Sequence, residues 1–159
     1  MRSRPPDDVG FDVRDLHVFT RGLSALVPPS LARRAVAISV RTDRSTYACS
    51  DPVELEIVIR NRLPLPIDVP TTEQRLFGWR FDGLLEASEE CVFRAPSPNE
   101  LSLRARERRT IERVWDGSIR REGDRTHWEP VEPGTYEIEA FLTTDPETTD
   151  ATTVTFEQS

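Results

Sequence analysis

From Val53 to Arg60 the chain alternates without a break: Val53, Leu55, Ile57 and Ile59 fall on one side, Glu54, Glu56, Val58 and Arg60 on the other. Successive side chains of a β-strand point to opposite faces, so this run fits a strand with one face in a core and the other toward water. A one-residue slip would drive Glu54 and Glu56 into that core, which pins the register. The same period of two returns in Val36, Ile38 and Val40, in Leu101, Leu103 and Ala105, and in Tyr136, Ile138, Ala140 and Leu142. Ile67 and Val69 among prolines sketch an edge strand, and 76–81 supplies aromatic strand material that stops at the Asp82-Gly83 turn signal. Cys91-Val92-Phe93, the segment around Ile111, Val114 and Trp115, and the β-branched run Thr152–Phe156 complete the set. Seven or eight short strands without βα alternation predict an all-β antiparallel sandwich, with a closed barrel as the alternative. Residues 117–130 read as the longest polar loop.

The N-terminal part follows a different rhythm. Leu16, Phe19, Leu23 and Leu26 recur at three- and four-residue intervals behind Asp12 and Asp15, which predicts a short helix-like segment closed by Pro28-Pro29. The expected organisation is an N-terminal tail and helix-like segment over 1–34, followed by a β-sandwich domain over 35–159. A length of 159 residues suits one core.

Charge narrows the function classes. All 21 basic residues are Arg, set against 28 acidic ones for a net charge of -7, a balance that disfavours nucleic acid or an anionic membrane as partner. An acidic chain without lysine resembles the proteins of extreme halophiles, although a GC-rich codon bias would leave the same trace. The absence of lysine removes P-loop and Schiff-base chemistry. His17 and His127 are the only histidines, and no Gly-x-Ser-x-Gly elbow is present, so neither a Ser-His-Asp triad nor a metal ligand set can be assembled from local motifs. No cofactor is expected. Glu89-Glu90, and Glu137 with Glu139, read as solvated faces. Cys49 and Cys91 are expected as reduced thiols in a cytoplasmic protein. A bridge between them would need Cα atoms within about 7 Å.

Several motifs share an order with a known family. Tyr47, then Asp51-Pro52-Val53-Glu54-Leu55 and Ile57-Val58-Ile59-Arg60-Asn61, then Trp115-Asp116-Gly117, Val131, Pro133-Gly134 and Tyr136-Glu137-Ile138 together resemble the intracellular proteinase inhibitor (BsuPI-like) domain. The resemblance spans roughly residues 36 to 156. It implies an immunoglobulin-like β-sandwich and a non-catalytic module that binds a protein partner, a protease among the candidates. The alternative is an interaction or scaffold module without inhibitory activity.

Binding by such a module falls to its loops, which present backbone and anchors from a rigid scaffold. One candidate is 94–100, with Arg94, Pro96, Ser97, Pro98 and Asn99, where the prolines lower the ordering cost of a bound segment. The other is 117–130, with Arg125, His127 and Trp128, where an aromatic beside charged groups has the composition of an interface anchor. Trp79 and Trp115 read as core. The arginines of 104–125 are expected to pair with acidic groups of the same domain.

Overall fold

A computed structural model of the chain describes residues 22–90 and 96–158. The helix-like segment expected before Pro28 lies mostly outside these residues, as do the strand expected at 91–93 and Arg94. After Pro28 the chain forms a short helix, α1 (Pro29–Ala35), which the sequence reading did not include. Pro29 occupies the first helical turn, where a missing N–H costs nothing. Ala32 and Ala35 face inward from α1 and join Val27 in the core.

Among the described residues twelve strands follow: β1 (Val36–Thr42), β2 (Thr46–Ala48), β3 (Val53–Asn61), β4 (Ile67–Thr71), β5 (Phe77–Phe81), β6 (Leu84–Leu85), β7 (Asn99–Leu103), β8 (Arg108–Trp115), β9 (Ser118–Arg121), β10 (His127–Pro130), β11 (Gly134–Leu142) and β12 (Thr148–Glu157). A three-stranded sheet β1-β3-β8 packs against a five-stranded sheet β2-β12-β11-β5-β6. The ladders β4-β7 and β9-β10 flank this sandwich. Among the described residues every pairing of these strands is antiparallel except that of β2 with β12. The fold is the expected all-β sandwich, with more strands than expected because several are only two to five residues long. One expectation is corrected outright: 117–130 is not an irregular loop but contains the β9-β10 hairpin. All four residues of β10 are exposed, so the hairpin leaves no hydrophobic alternation for the sequence to display.

The alternating runs bury most of the faces that they predict, but Ala105, expected to continue the alternation of Leu101 and Leu103, is exposed past the end of β7, and Val58, expected toward water, is buried. Val53, Leu55, Ile57 and Ile59 are buried, and Glu54 and Arg60 are exposed. Between the sheets, the ring of Phe81 lies 4.6 Å from that of Trp115 and 4.9 Å from that of Tyr136, and the edge of Phe156 meets all three. Trp79 and Trp115 are core residues, Ile138 is fully buried, and Tyr136 is half-buried at the rim of the cluster. Tyr47 is buried with its hydroxyl donating to Asp43 Oδ1 at 2.6 Å and accepting the Arg44 N–H at 3.0 Å. That donation holds the Asp43 carboxyl below the usual range. Asn61, at the end of β3, is wholly buried. Its Nδ2 donates to the carbonyls of Leu65 and Arg104, both at 2.8 Å, and its Oδ1 accepts the Leu63 N–H at 2.9 Å. A buried amide needs such partners, and these three tie two loops to the strand end.

Candidate functional site

The hairpin begins at Trp115-Asp116-Gly117. The Trp115 indole N–H donates to the Ser118 carbonyl at 2.8 Å, and Asp116 Oδ1 accepts the Ser118 N–H at 2.9 Å. Gly117 has φ +76°, and a Cβ there would stand 2.8 Å from the Asp51 carbonyl oxygen, so only glycine fits this corner. Beyond it β9 is braced on both edges. β10 pairs with one edge, from Ser118↔Pro130 to Arg121↔His127. On the other, the Arg120 N–H donates to Ala87 at 2.9 Å and the Glu89 N–H donates to Arg120 at 3.0 Å. A bond from the Val131 N–H to the Gly117 carbonyl, 3.1 Å, closes the base.

This rigid hairpin displays Trp128, which is 62% exposed. The Arg120 guanidinium lies 6.0 Å from its ring centroid, at the outer limit of a cation–π contact. Around the ring runs a network of charges. Arg120 pairs with Glu90, and Arg121 pairs with Glu89 and, at 3.5 Å, with Glu129. His127 Nε2 lies 2.8 Å from Glu129 Oε1. The Glu129 carboxylate raises the His127 pKa above its ordinary value, and His127 lowers that of Glu129 in return. Arg120 Nε is buried with no hydrogen-bond partner among the described residues.

Beside the hairpin, against the β5-β6 turn, lies a cleft of about 500 Å³. Phe81, Leu84, Ile119 and Tyr136 line it, and Asp82 and Glu132 stand among its charged groups. The Tyr136 hydroxyl donates to the Glu132 carbonyl at 3.1 Å, and its pKa is pushed up first by burial and then by the charges of Glu132 and Asp82. Among the described residues no three His, Cys, Asp or Glu side chains are grouped to hold a metal ion, and no helix is long and apolar enough to cross a membrane.

The two candidate loops stand at opposite ends of the sandwich. The hairpin runs into Gly134, the first residue of β11. Pro96–Asn99 sits beside Thr72, whose N–H donates to Thr143 just past the last residue of β11. There the Ser97 N–H donates to the Thr72 carbonyl at 3.2 Å, and Asn99 Nδ2 donates to the Gln74 carbonyl at 3.2 Å. Pro96 and Pro98 are exposed. Arg125 is exposed in the hairpin turn, and its carbonyl lies 3.3 Å from His127 Nδ1. Arg120 and Arg121 pair internally, as expected of the arginines of 104–125, but sequence reasoning named neither their partners Glu89 and Glu90 nor their place around Trp128. The available signal was a pair of doublets of opposite charge. Of the other arginines of this region, Arg109 pairs internally, with Glu107 at 2.9 Å.

Residues 24–157 match the profile of a family described as a family of unknown function, DUF7974. The chain belongs to this DUF7974 family. The matched DUF7974 region begins before α1 and ends at the last residue of β12, so it takes in the helix together with both sheets. No curated protein matches the chain. Among solved structures, the DUF7974 chain is similar to a β-glucosidase from Erythrobacter marinus at 14% identity, covering 77% of this chain and 15% of that one with a TM-score of 0.45. It is also similar to a β-glucosidase from Listeria innocua in complex with isofagomine, at 11% identity, 76% and 16% coverage and a TM-score of 0.46. A third similar structure is the Pseudomonas fluorescens alkylpurine DNA glycosylase AlkC bound to DNA containing an abasic site analog, at 15% identity, 93% and 41% coverage and a TM-score of 0.43. The DUF7974 chain therefore spans less than half the length of each of these proteins.

Proposed function

We propose that this protein is a non-catalytic protein-binding module that engages its partner through the β9-β10 hairpin. The observation that carries this reading is Trp128, 62% exposed on a hairpin braced along both edges of β9. Tryptophan supplies a large contact area with few rotatable bonds, and a scaffold already ordered before binding lowers the entropic cost. The likeness of the Tyr47, Asn61, Trp115 and Tyr136 motifs to intracellular proteinase inhibitors makes a cytoplasmic protease the first partner to test. A scaffold role with another protein is the alternative. In this reading the partner is neither nucleic acid nor membrane, and the acidic, lysine-free surface is an adaptation to a salt-rich cytoplasm.

The test compares the parent with Trp128→Ala in affinity capture from the native cytoplasm at native salt, alongside inhibition of the proteolytic activity in that extract. Trp128 contributes little to the core, so the variant should keep its melting temperature while its partner binding falls at least about tenfold, as hot-spot truncations do. Equal capture and equal inhibition by both proteins would overturn the hairpin as the binding surface. In a second variant a glycine-serine linker replaces 95–99 at the opposite end of the sandwich. Loss of binding only in that variant would move the interface there.

A further inference from the structure

Strand β8 carries charges that its own sheet leaves unmatched. The Asn61 N–H donates to the Glu107 carbonyl, which fixes the phase of the ladder: odd-numbered residues of β3 and β8 bond to each other. The backbone groups of Arg108, Thr110, Glu112 and Val114 therefore point away from β3, toward an edge to which no other described strand is bonded. The side chains of these four residues are exposed on the outer face of the sheet. On that face Glu112 stands opposite Glu56, and Arg108 stands opposite Arg60. Like charges directly across two strands are unfavourable. No ion pair among the described residues relieves any of the four.

We propose that the protein forms a two-fold symmetric dimer by antiparallel pairing of β8 with β8 of a second copy, Thr110 standing opposite Thr110. This register places Arg108 of each copy against Glu112 of the other. A row across the joined sheets then reads Arg41, Glu56, Glu112, followed by Arg108 and Arg60 of the second copy. Each like-charge pair gains an opposite charge beside it, twice by symmetry. Neighbouring registers do not achieve this. Centring on Ile111 sets Arg109 against Arg113 twice, centring on Glu112 sets that carboxylate against itself, and centring on Arg109 does the same for a guanidinium. On the core-side face the Thr110 register brings Arg113, whose Nη1 here donates only to the Glu112 carbonyl, opposite Glu107 of the second copy. Charges along an edge strand ordinarily repel unrelated strands. Here they also specify which strand is admitted, namely an identical one running the other way.

The dimer is tested by sedimentation of the parent, R108E, E112R and the double variant R108E/E112R over a range of concentrations at 0.1 M salt. The parent should dimerise. Each single reversal should weaken the dimer by roughly tenfold or more, since it turns two attractive cross-strand contacts into repulsive ones, and the double variant should restore it. Each single variant also removes a like-charge contact within its own sheet, with Glu56 or with Arg60, so its melting temperature should hold or rise. Loss of the dimer is thereby separated from loss of folding. In a background with both natural cysteines replaced by alanine, T110C should form an intermolecular disulfide faster than V114C, because opposed residues in a hydrogen-bonded antiparallel pair have Cα atoms about 5.5 Å apart. A parent that stays monomeric throughout, a dimer indifferent to both single reversals, or cross-linking as fast at position 114 as at 110 would overturn the proposal.

Discussion

Buried polar contacts explain several of the residues that stand out in the sequence. Asn61 after a strand looks unremarkable in one dimension, yet in the fold it is the knot between two loops, with three of its hydrogen bonds made to backbone. Tyr47 joins Asp43 to Arg44 in the same way at the other end of the three-stranded sheet. Tyr47→Phe removes one donor and one acceptor: the Asp43 carboxylate keeps only the Glu54 N–H and the Arg44 Nε, and the Arg44 N–H loses its side-chain partner. The expected loss of stability is about 1 kcal/mol, measured by urea denaturation. Tyr47 also holds the Asp43 pKa down, so Asp43 contributes stability that is complete above its unfolded value and fades as pH falls through the lower folded one. The acid limb of the stability profile should flatten in Tyr47→Phe. At Gly117, both the positive φ and the approach of the Asp51 carbonyl oppose a side chain. Gly117→Ala should cost about 1–3 kcal/mol and loosen the hairpin that follows.

Among the elements, legibility followed burial. The period of two was readable in β3 and β11 because each buries one face, and the Asp82-Gly83 signal was readable because both residues take the positive φ that such a two-residue hairpin requires. α1 was hidden by Pro28-Pro29, where a residue that ends one element also starts the next. The β9-β10 hairpin was hidden for a different reason: only Ile119 of it is buried, and the rest is held by backbone bonds and ion pairs. Trp128 and His127 were singled out from composition, while Arg120 and Arg121 acquire meaning only when the fold brings Glu89 and Glu90 beside them. The His127–Glu129 contact gives the hairpin a measurable pH signature. Its folded pKa is raised, so the contact is complete below about 6.5 and is lost as pH rises through the folded value. An NMR titration should place the His127 midpoint above 6.5, and Glu129→Gln should bring it back down.

For the molecule as a whole, charge is the dominant long-range term. With 28 acidic residues against 21 arginines, the folded chain repels itself more than the expanded one does. Between 0.1 M and 1 M salt the Debye length falls from about 10 Å to about 3 Å, and the melting temperature should climb over that range. A flat profile would remove the case for adaptation to salt. The ion pairs around Trp128 link short-range attraction to this long-range repulsion, since Glu89, Glu90 and Glu129 are acids whose neighbours neutralise them.

The parallel pairing of β2 with the end of β12 sets an order of events during synthesis. Residues 46–48 are the first strand of the five-stranded sheet to leave the ribosome, yet their strand partners among the described residues, Thr155, Phe156 and Glu157, belong to the last strand of that sheet to emerge. Phe156, wholly buried among Tyr47, Phe81, Trp115 and Tyr136, completes the aromatic core at the same late step. The nascent chain thus carries a sheet with the place between β2 and β11 empty until β12 emerges. A chaperone able to cover β11 during that interval would have its greatest effect on yield.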